Sequence, residues 1–442
     1  MNRAEFARLV QRHRIPGAQF ALHENGETLL IETGRERYGD GPPVTAKSAF
    51  PYGSVTKSFT ATVVMQLVAG GDLDLDTPIG TYLSEFSLAH NRIERSVTAR
   101  HLLSHTSGLP CDFDENAPPA PSFRRYALSA GTLEPVYRPG TAFSYSNAGY
   151  VLLGLLIDEL TWMSWWDAIE TLLLDPLDIE PAFCADPRIP PRDRRIVSGH
   201  SVTDRRTVAI QPAIPVFDAP AGALAGSAAD LVAFARMHLG DAAALLAGPE
   251  LELMRTGAGE VTPFGLASGW GLGLARFRSG SADWFGHDGT TDGTTSHVRF
   301  EPASGTALAL TTNGVNGLRL WEDVLATLRA EGLDVGNYPA AALAGSAPTS
   351  PEPACVGVYR NGDLEYSVLP AGDGTLHVDL DDGVARQLTF YTGLRFRAEA
   401  PGTGEPPVAG RFLREPGTGE IGLMEIGGRA ARRSRVERMA GV

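Results

Sequence analysis

The stretch PYGSVTKSFTATVVMQLV, residues 51–68, places a short polar motif at the head of a long apolar helix. Ser54 and Lys57 are three residues apart, so a helix would carry both side chains on one face. A hydroxyl beside an amine predicts a nucleophile with its base. The competing interpretation is a serine helix cap followed by a solvated lysine, and the spacing alone does not decide between the two.

The composition indicates a globular protein with an acidic surface. Its 442 residues predict two or three domains, and a hydrophobic fraction of 43% is enough for a large core. The net charge of −14 argues against a nucleic-acid partner, because an acidic surface repels phosphate groups. Three dispersed cysteines, Cys111, Cys184 and Cys355, predict buried thiols in a reducing compartment rather than a zinc site or a disulfide framework.

The N-terminal segment predicts an amphipathic helix with Phe6, Leu9 and Val10 on its apolar face. Charged side chains interrupt this segment, so it lacks the continuous apolar region of a secretory signal. A run of about 18 apolar residues, which a membrane helix needs, does not occur in the sequence. These features predict a cytoplasmic protein with no membrane partner.

Residues 1–336 are predicted to form one catalytic domain. A hairpin at 17–34, centred on Asn25-Gly26, and a late series of strands enclose a mostly helical insertion at about 77–245. The late strands are predicted at 269–277, 283–289, 296–302 and 305–313, followed by a helix at 318–332. This order predicts an antiparallel sheet with a helical insertion.

The end of the chain has a different pattern. Residues 337–353 are rich in proline, alanine and serine, which predicts a linker. Residues 354–442 alternate short apolar segments with glycine turns, which predicts a small all-β domain or barrel.

Two further motifs, later in the sequence, bear on the interpretation of Ser54 and Lys57. Tyr145 and Asn147 lie just before an apolar helix, on the same side of an extended segment. His287, Asp288 and Gly289 end an apolar strand. A histidine on a strand is most often a structural residue, so each motif alone is weak evidence for chemistry.

Ser-x-x-Lys, Tyr-x-Asn and His-x-Gly occur in the order found in the penicillin-binding-protein and β-lactamase superfamily of serine enzymes, and the chain resembles its class C-like branch. The stretches VTARHLLSHTSGLP, RPGTAFSYSNAGYVLLG and PAGALAGSAADLVAFARMHL carry the same resemblance. It implies an α/β (α+β) serine β-lactamase-like fold, with an antiparallel sheet, a helical insertion and a small C-terminal all-β, lipocalin-like domain. In layout the chain is similar to penicillin-binding-protein-type thioesterases and to D-aminopeptidases.

The resemblance also implies roles for the motif residues. Ser54 would be the nucleophile, and Lys57 and Tyr145 would move its proton, with the choice of formal base left open. Asn147 would hold Lys57 and the substrate amide in register. The backbone N–H groups of Ser54 and Thr290 would form the oxyanion hole, in which each donor stabilises the transition state by about 3–4 kcal/mol.

The third motif departs from the Lys-Thr-Gly that is commonest in the superfamily. A lysine there is a fixed positive charge for the carboxylate of a β-lactam or a peptide, whereas His287 is neutral or partly charged near pH 7. Efficient β-lactam hydrolysis is therefore not expected. Asp288 and Gly289 are expected to contact substrate, with Gly289 allowing the strand backbone to approach closely.

Two features have competing interpretations. His101 and His105 suit either metal ligation or a structural role, and the resemblance implies structure; neither a metal nor a cofactor is expected. The arginines near the C-terminus could contact an acidic carrier protein or a substrate carboxylate, but a solvated basic tail is the favoured interpretation. They are Arg429, Arg432, Arg433, Arg435 and Arg438.

The predicted function is the release of a nonribosomal peptidyl thioester, by macrocyclisation or hydrolysis, from a carrier-protein domain of a peptide synthetase. It is favoured because the sequence shows no export signal and carries the lipocalin-like tail. The alternative is a D-aminopeptidase, D-amino-acid amidase or small-ester esterase that acts on free acyl substrates. A non-catalytic peptide-binding homologue is disfavoured, because every motif residue is present.

Overall fold

The computed structural model describes most of the chain. The described residues are 1–83, 95–111, 122–130, 134–188, 194–203, 206–211, 213–256, 261–338, 343, 347–372, 374–401, 407–415 and 417–434. Among the helices in these ranges, none is both long enough and apolar enough to cross a membrane.

A seven-stranded antiparallel sheet organises the first part of the chain. The strands up to residue 312 are β1 (Gly17–Glu24), β2 (Glu27–Gly34), β3 (Phe50–Pro51), β4 (Gly199–Val202), β5 (Thr207–Ile210), β6 (Ala225–Gly226), β7 (Gly269–Trp270), β8 (Ala275–Ser279), β9 (Ala282–Thr291), β10 (Thr294–Glu301) and β11 (Thr306–Thr312). The sheet has the order β2-β1-β11-β10-β9-β8-β7, and two small pairs, β3–β6 and β4–β5, lie outside it. The predicted hairpin at 17–34 is confirmed, with Asn25 and Gly26 both at positive φ as a tight hairpin turn requires.

Helices cover both faces of this sheet. They are α1 (Arg3–Arg12), α2 (Thr56–Gly70), α3 (Ala99–Leu103), α4 (Phe123–Ala130), α5 (Asn147–Thr161), α6 (Trp165–Ile169), α7 (Ala219–Gly222), α8 (Ala228–Arg236), α9 (Gly248–Thr256) and α10 (Gly317–Ala330). On one face, Phe6 of α1 and Trp321 of α10 share a buried cluster with Phe20 of β1. On the other, Phe59 of α2 stacks on Phe234 of α8 with ring centroids 3.9 Å apart. Because both faces are covered, β11 is buried along its whole length, with Ala307–Leu310 as its apolar centre and threonines at both ends.

The insertion at 77–245 is less purely helical than predicted. It contains β4 and β5, which pair with each other, and β6, which pairs with β3 just before Ser54. These strands are two to four residues long, too short for an alternating pattern to distinguish them from loops.

The end of the chain forms a closed eight-stranded antiparallel barrel, as the lipocalin-like resemblance implied. Its strands are β13 (Gly357–Asn361), β14 (Leu364–Pro370), β15 (Leu376–Asp379), β16 (Ala385–Tyr391), β17 (Arg395–Glu399), β18 (Val408–Arg414), β19 (Ile421–Ile426) and β20 (Arg429–Arg433). Each strand pairs with the next, and β20 pairs with β13 to close the ring, so the barrel leaves no unpaired edge. The short strand β12 (Pro348–Thr349) lies inside the expected linker and pairs with Phe390 and Tyr391 of β16.

The cysteines are three free thiols, as expected from their dispersal. Cys111 and Cys355 are buried, whereas Cys184 is only partly buried. Burial raises the pKa of the Cys184 thiol and of the Cys355 thiol to about 12, so both are inert at neutral pH.

A buried histidine after α8 predicts a pH-dependent effect on stability. His238 stacks on Phe300 and contacts the edge of Phe234, and its burial, followed by the nearby charge of Arg255, lowers its pKa to about 3. An unfolded histidine binds a proton near pH 6.5, so this site loses stability as the pH falls from 6.5 towards 3. His238→Phe removes that loss.

We expect the unfolding free energy of His238→Phe, relative to that of the unchanged chain, to rise by about 2 kcal/mol between pH 7.5 and pH 5. Urea unfolding of both proteins at the two pH values measures this difference, in which the titrations of all other groups cancel. An equal difference at both pH values would mean that His238 binds a proton as readily in the folded protein as in the unfolded chain.

Candidate active site

Ser54 lies in a 3₁₀ turn, Gly53–Val55, that leads directly into α2. Neither the turn nor the helix has a side-chain cap at its start, and Lys57 is 0% exposed. The interpretation of this motif as a serine cap beside a solvated lysine is therefore wrong.

The amine of Lys57 has close polar neighbours in place of water. Its Nζ lies 3.2 Å from Ser54 Oγ and donates a hydrogen bond to the carbonyl oxygen of Ala221 at 2.8 Å. It also lies 4.9 Å from the centroid of the Tyr145 ring. The amine and the Ser54 hydroxyl are thus within reach of proton exchange, as a nucleophile and its base must be.

Tyr145 stands just before α5, and its ring is held by two aromatic neighbours. The ring of His105 lies 4.3 Å away between centroids, and that of Trp270 lies 5.9 Å away. The Nδ1 atom of His105 accepts a hydrogen bond from the backbone N–H of Ser146 at 3.1 Å. Burial, and then the charge of Lys57, hold the pKa of His105 well below its usual value, so the ring is a neutral support for Tyr145.

The other histidine of this segment has a separate local contact. His101 and Thr98 form a capping box at the start of α3. His101 and His105 therefore bond to different groups, in agreement with the structural interpretation. Within the described ranges, no three or more His, Cys, Asp or Glu side chains are grouped so that they could hold a metal ion.

The backbone of the third motif lies directly against the serine turn. A Cβ atom on Gly289 would be 2.0 Å from the carbonyl oxygen of Tyr52 and 3.0 Å from the backbone nitrogen of Ser54. Gly53 has a φ of 52°, and a Cβ there would be 2.9 Å from the nitrogen of Thr290. Only glycine fits at both positions, so the backbones of Ser54 and Thr290 meet at one cleft, as the predicted oxyanion hole requires.

His287 is a buried, neutral residue of β9. Its Nδ1–H donates to the carbonyl oxygen of Asp288 at 2.6 Å. Burial, and then the positive charge of Lys57, lower the pKa of His287 to about 4. The ring is uncharged at pH 7, so the third motif offers no fixed positive charge in the place where Lys-Thr-Gly has its lysine.

The carboxylate of Asp288 has buried partners behind the strand. Arg299 is fully buried and donates to both of its oxygens at 2.8 Å, and His297 lies 2.7 Å from one of them. Burial alone would raise the pKa of Asp288, but the charges of Arg299 and His297 and their hydrogen bonds hold it well below the usual range. These partners brace the strand that carries His287 and Gly289.

One cavity of about 370 Å³ collects most of the predicted residues. It is lined by Ser54, Tyr145, Leu266, Trp270, Ala275, Phe277, His287, Asp288, Gly289, Thr290, Gly427 and Arg429. Lys57 and Asn147 are not part of this lining. Lys57 is fully buried beside Ser54, whereas Asn147 begins α5 and its backbone N–H donates to the carbonyl oxygen of Cys111. The role expected for the Asn147 side chain therefore stays a prediction.

The sequence did not identify the apolar walls of the cavity. Leu266 and Trp270 precede β8, and Ala275 and Phe277 lie two residues apart on it, so these two share one face. The strand was predicted, and its alternation was the available signal. Nothing in the sequence related that face to Ser54.

The C-terminal arginines do not all form a tail, because Arg429, Arg432 and Arg433 belong to β20 of the barrel. Arg432 is exposed to solvent as expected, whereas Arg429 and Arg433 are partly buried. Arg429 lines the cavity of Ser54, and Arg433 donates to a backbone carbonyl. Arg435 and Arg438 lie outside the described residues.

Comparisons with known proteins agree with this geometry. The family model described as Beta-lactamase matches residues 2–330. Penicillin-binding protein 4 of Amycolatopsis lactamdurans is 35% identical over 337 residues, which cover 74% of this chain and 88% of that protein.

Solved structures extend the likeness to the barrel. The crystal structure of SurE is 39% identical, has a TM-score of 0.88 and covers 98% of both chains, and that of SurE with D-Leu has a TM-score of 0.86 over the same share. A D-amino acid amidase from Ochrobactrum anthropi SV3, complexed with L-phenylalanine amide, is 24% identical, with a TM-score of 0.64 over 75% of this chain and 98% of its own. This last likeness concerns the fold alone. With Ser54, Tyr145, His287 and Gly289 lining one cavity and the family match over residues 2–330, this chain belongs to the β-lactamase and penicillin-binding-protein family of serine acyl-transferring hydrolases.

Proposed function

We propose that this chain releases a peptidyl thioester ending in a D-residue, through an ester formed on Ser54. The observation that carries the proposal is the composition of the cavity wall. Trp270 and Phe277 supply apolar surface for a side chain, and Gly427 and Arg429 of the barrel belong to the same lining. A cleft shared by two parts of the chain suits a peptide acyl group better than a small ester.

The relatives support a D-residue at the reacting end. A structure of SurE contains D-Leu, and SurE is 39% identical to this chain over nearly the full length of both. The hydrophobic walls of the cavity suit an apolar side chain such as that of leucine, and the D-configuration of the acyl residue is proposed from the SurE structure.

The proposed chemistry uses the contacts around Ser54. Ser54 Oγ attacks the thioester carbonyl and gives its proton to the path formed by Lys57 and Tyr145. The C–S bond breaks, the thiol leaves with a proton, and the acyl group remains as an ester of Ser54. The backbone N–H groups of Ser54 and Thr290 would stabilise the oxyanion in both steps.

The second step decides the product. Water gives a free acid, whereas the peptide's own amine gives a cyclic peptide, and either restores the proton to Ser54. A tethered and well-oriented amine can reach an effective concentration on the order of 10⁵ M. We propose that the barrel wall near Arg429 helps the peptide to fold back, so that cyclisation outcompetes hydrolysis.

The neutral third motif supports an activated acyl donor over a β-lactam. With the pKa of His287 lowered to about 4, a carboxylate of a β-lactam would find no fixed charge there. Acylation of Ser54 by a thioester needs less stabilisation of the transition state, because a thiol is a better leaving group than an amine. A carrier-protein domain of a peptide synthetase would present such a donor in the cytoplasm.

A second candidate is the hydrolysis of D-residue amides. It is favoured by the D-Leu in the SurE structure and by the likeness of fold to a D-amino acid amidase. Amide cleavage requires a proton on the departing amine, so it would depend more strongly on Tyr145.

Matched substrates separate the two candidates. We expect kcat/KM for a soluble peptidyl thioester ending in D-Leu to exceed, by at least about tenfold, the values for its L-Leu epimer, for the same peptide as an amide and for nitrocefin. Cyclic peptide should be among the products, as detected by mass spectrometry. The background rate is measured with Ser54→Ala. A tenfold preference for the D-residue amide would replace the thioesterase proposal with the amidase.

A further inference from the structure

The barrel contacts the Tyr145 segment through one buried amide. Asn361, at the end of β13, is 0% exposed and lies between the barrel and the part of the chain that matches the family model. Its Oδ1 accepts a hydrogen bond from the backbone N–H of Cys111 at 2.7 Å. Its Nδ2 lies 2.5 Å from the carbonyl oxygen of Ala430 and 3.1 Å from Ser144 Oγ. A buried amide with partners on both parts of the chain fixes their relative position.

The bond to Cys111 leads to the second predicted motif. The carbonyl oxygen of Cys111 accepts hydrogen bonds from the backbone N–H groups of Asn147 and Ala148, at 3.0 and 3.3 Å. These are the first residues of α5, so the start of that helix depends on where Cys111 is held. Asn361 therefore sets the position of the Asn147 backbone through one intermediate residue.

A second contact reaches Tyr145 itself. The turn between β19 and β20 places the carbonyl oxygen of Gly428 2.9 Å from the backbone N–H of Tyr145. Two residues on, the N–H of Ala430 donates to Ser144 Oγ at 3.1 Å, while the Ala430 carbonyl is bonded to Asn361. Tyr145 and the residue before it, Ser144, are thus both hydrogen-bonded to the barrel.

We propose that Asn361 is a positioning residue for acyl transfer, which acts from the barrel by holding the Tyr145–Asn147 segment in register with Ser54. The inference rests on the proposed role of Tyr145 in proton transfer. On this proposal, the barrel contributes to catalysis by positioning Tyr145 and does not only cover the site. Small displacements of a proton-transfer group are costly, because the reacting atoms must be aligned within a fraction of an ångström.

We expect Asn361→Ala to lower kcat by about 10- to 100-fold with little change in KM. The loss should depend on the leaving group, because a displaced Tyr145 protonates it poorly. A p-nitrophenyl ester, whose leaving group needs no proton, should lose less than an alkyl ester of the same acyl group. In a Tyr145→Phe background, Asn361→Ala should have little further effect on kcat.

Two more variants keep the test decisive if Asn361→Ala folds poorly. Ser144→Ala removes one partner of the amide without a large cavity and should show the same dependence on the leaving group. Val368→Ala is the control, since Val368 is fully buried in the barrel core and has no place in the contacts described above. It should lower Tm and leave kcat unchanged.

Unchanged kcat in both Asn361→Ala and Ser144→Ala would overturn the proposal, as would an equal loss in Val368→Ala or an equal loss for both esters. Failure of the proposed function is a different result: it would appear as a tenfold preference of the unchanged protein for the D-residue amide, or as undiminished turnover by Ser54→Ala, whatever Asn361→Ala does.

Discussion

Ser54→Ala is expected to lower kcat by about 10⁵-fold or more, the scale on which serine hydrolases lose activity when their nucleophile is removed. The hydroxyl lies 3.2 Å from the buried Lys57 amine, and Ser54 lines one cavity with Tyr145 and His287. Without it, no acyl-enzyme can form. A fluorophosphonate should add one adduct to the unchanged protein and none to Ser54→Ala, as measured by intact mass.

The next serine along the chain is a matched control. Ser58 is buried one helical turn further on, and its hydroxyl donates to the carbonyl oxygen of Gly273 at 2.8 Å. Ser58→Ala should lose about 1 kcal/mol of stability and keep both its labelling and its kcat. Trypsin cleaves after Lys57, so Ser54 and Ser58 fall in different peptides and the adduct can be assigned. An adduct elsewhere would contradict the mechanism.

Long elements with a clear period were predictable from the sequence. Helix α5 occupies Asn147–Thr161, the stretch that its apolar residues indicate, and the hairpin turn falls at Asn25-Gly26. The pairs β3–β6 and β4–β5 were not predicted, because strands of two to four residues contain too few positions to show alternation. Their partners are also distant in sequence, so no local signal relates them.

The proximity of Ser54 and Lys57 could be predicted because it is local, since the two side chains meet within one helical turn. The close approach at Gly289 followed only from the family resemblance, because the backbone that it touches is distant in the sequence. The walls of the cavity are different. Trp270 approaches Tyr145 only in the folded protein, because the two residues are far apart in the sequence.

The contribution of the barrel was the least predictable part of the site. Arg429 looked like part of a basic tail, yet it lines the same cavity as Ser54 because β20 is a barrel strand. Asn361 resembles an ordinary turn residue before Gly362, and its burial between two parts of the chain follows from tertiary structure alone. Residues of this kind are found only when contacts over long sequence separations are known.

Lys57→Met and Tyr145→Phe are each expected to lower kcat by at least about 100-fold, the usual scale for losing a proton-transfer group. The Lys57 amine lies 3.2 Å from Ser54 Oγ and 4.9 Å from the centroid of the Tyr145 ring, so both side chains border one proton path. The double variant should therefore lose less than the product of the two single losses. Strict multiplicativity would mean that the two groups serve separate paths.

The chain offers a control for each change. Lys47 and Lys57 are its only lysines, and Lys47 is exposed. Lys47→Met therefore makes the same substitution at a solvent-exposed position outside the site. Tyr359→Phe removes a buried hydroxyl that donates to the carbonyl oxygen of Cys355 inside the barrel. Both controls should keep kcat.

The leaving group should distinguish the two members of the pair. Lys57 contacts the nucleophile, so its loss should slow thioesters and amides alike. Tyr145 is proposed to protonate what departs, and a thiolate can leave without a proton while an amine cannot. Tyr145→Phe should therefore reduce kcat for an amide more than for the thioester of the same peptide. The ratio of the thioester kcat to the amide kcat should rise. An unchanged ratio would assign Tyr145 to the attack step, beside Lys57, and would leave protonation of the leaving group to another residue.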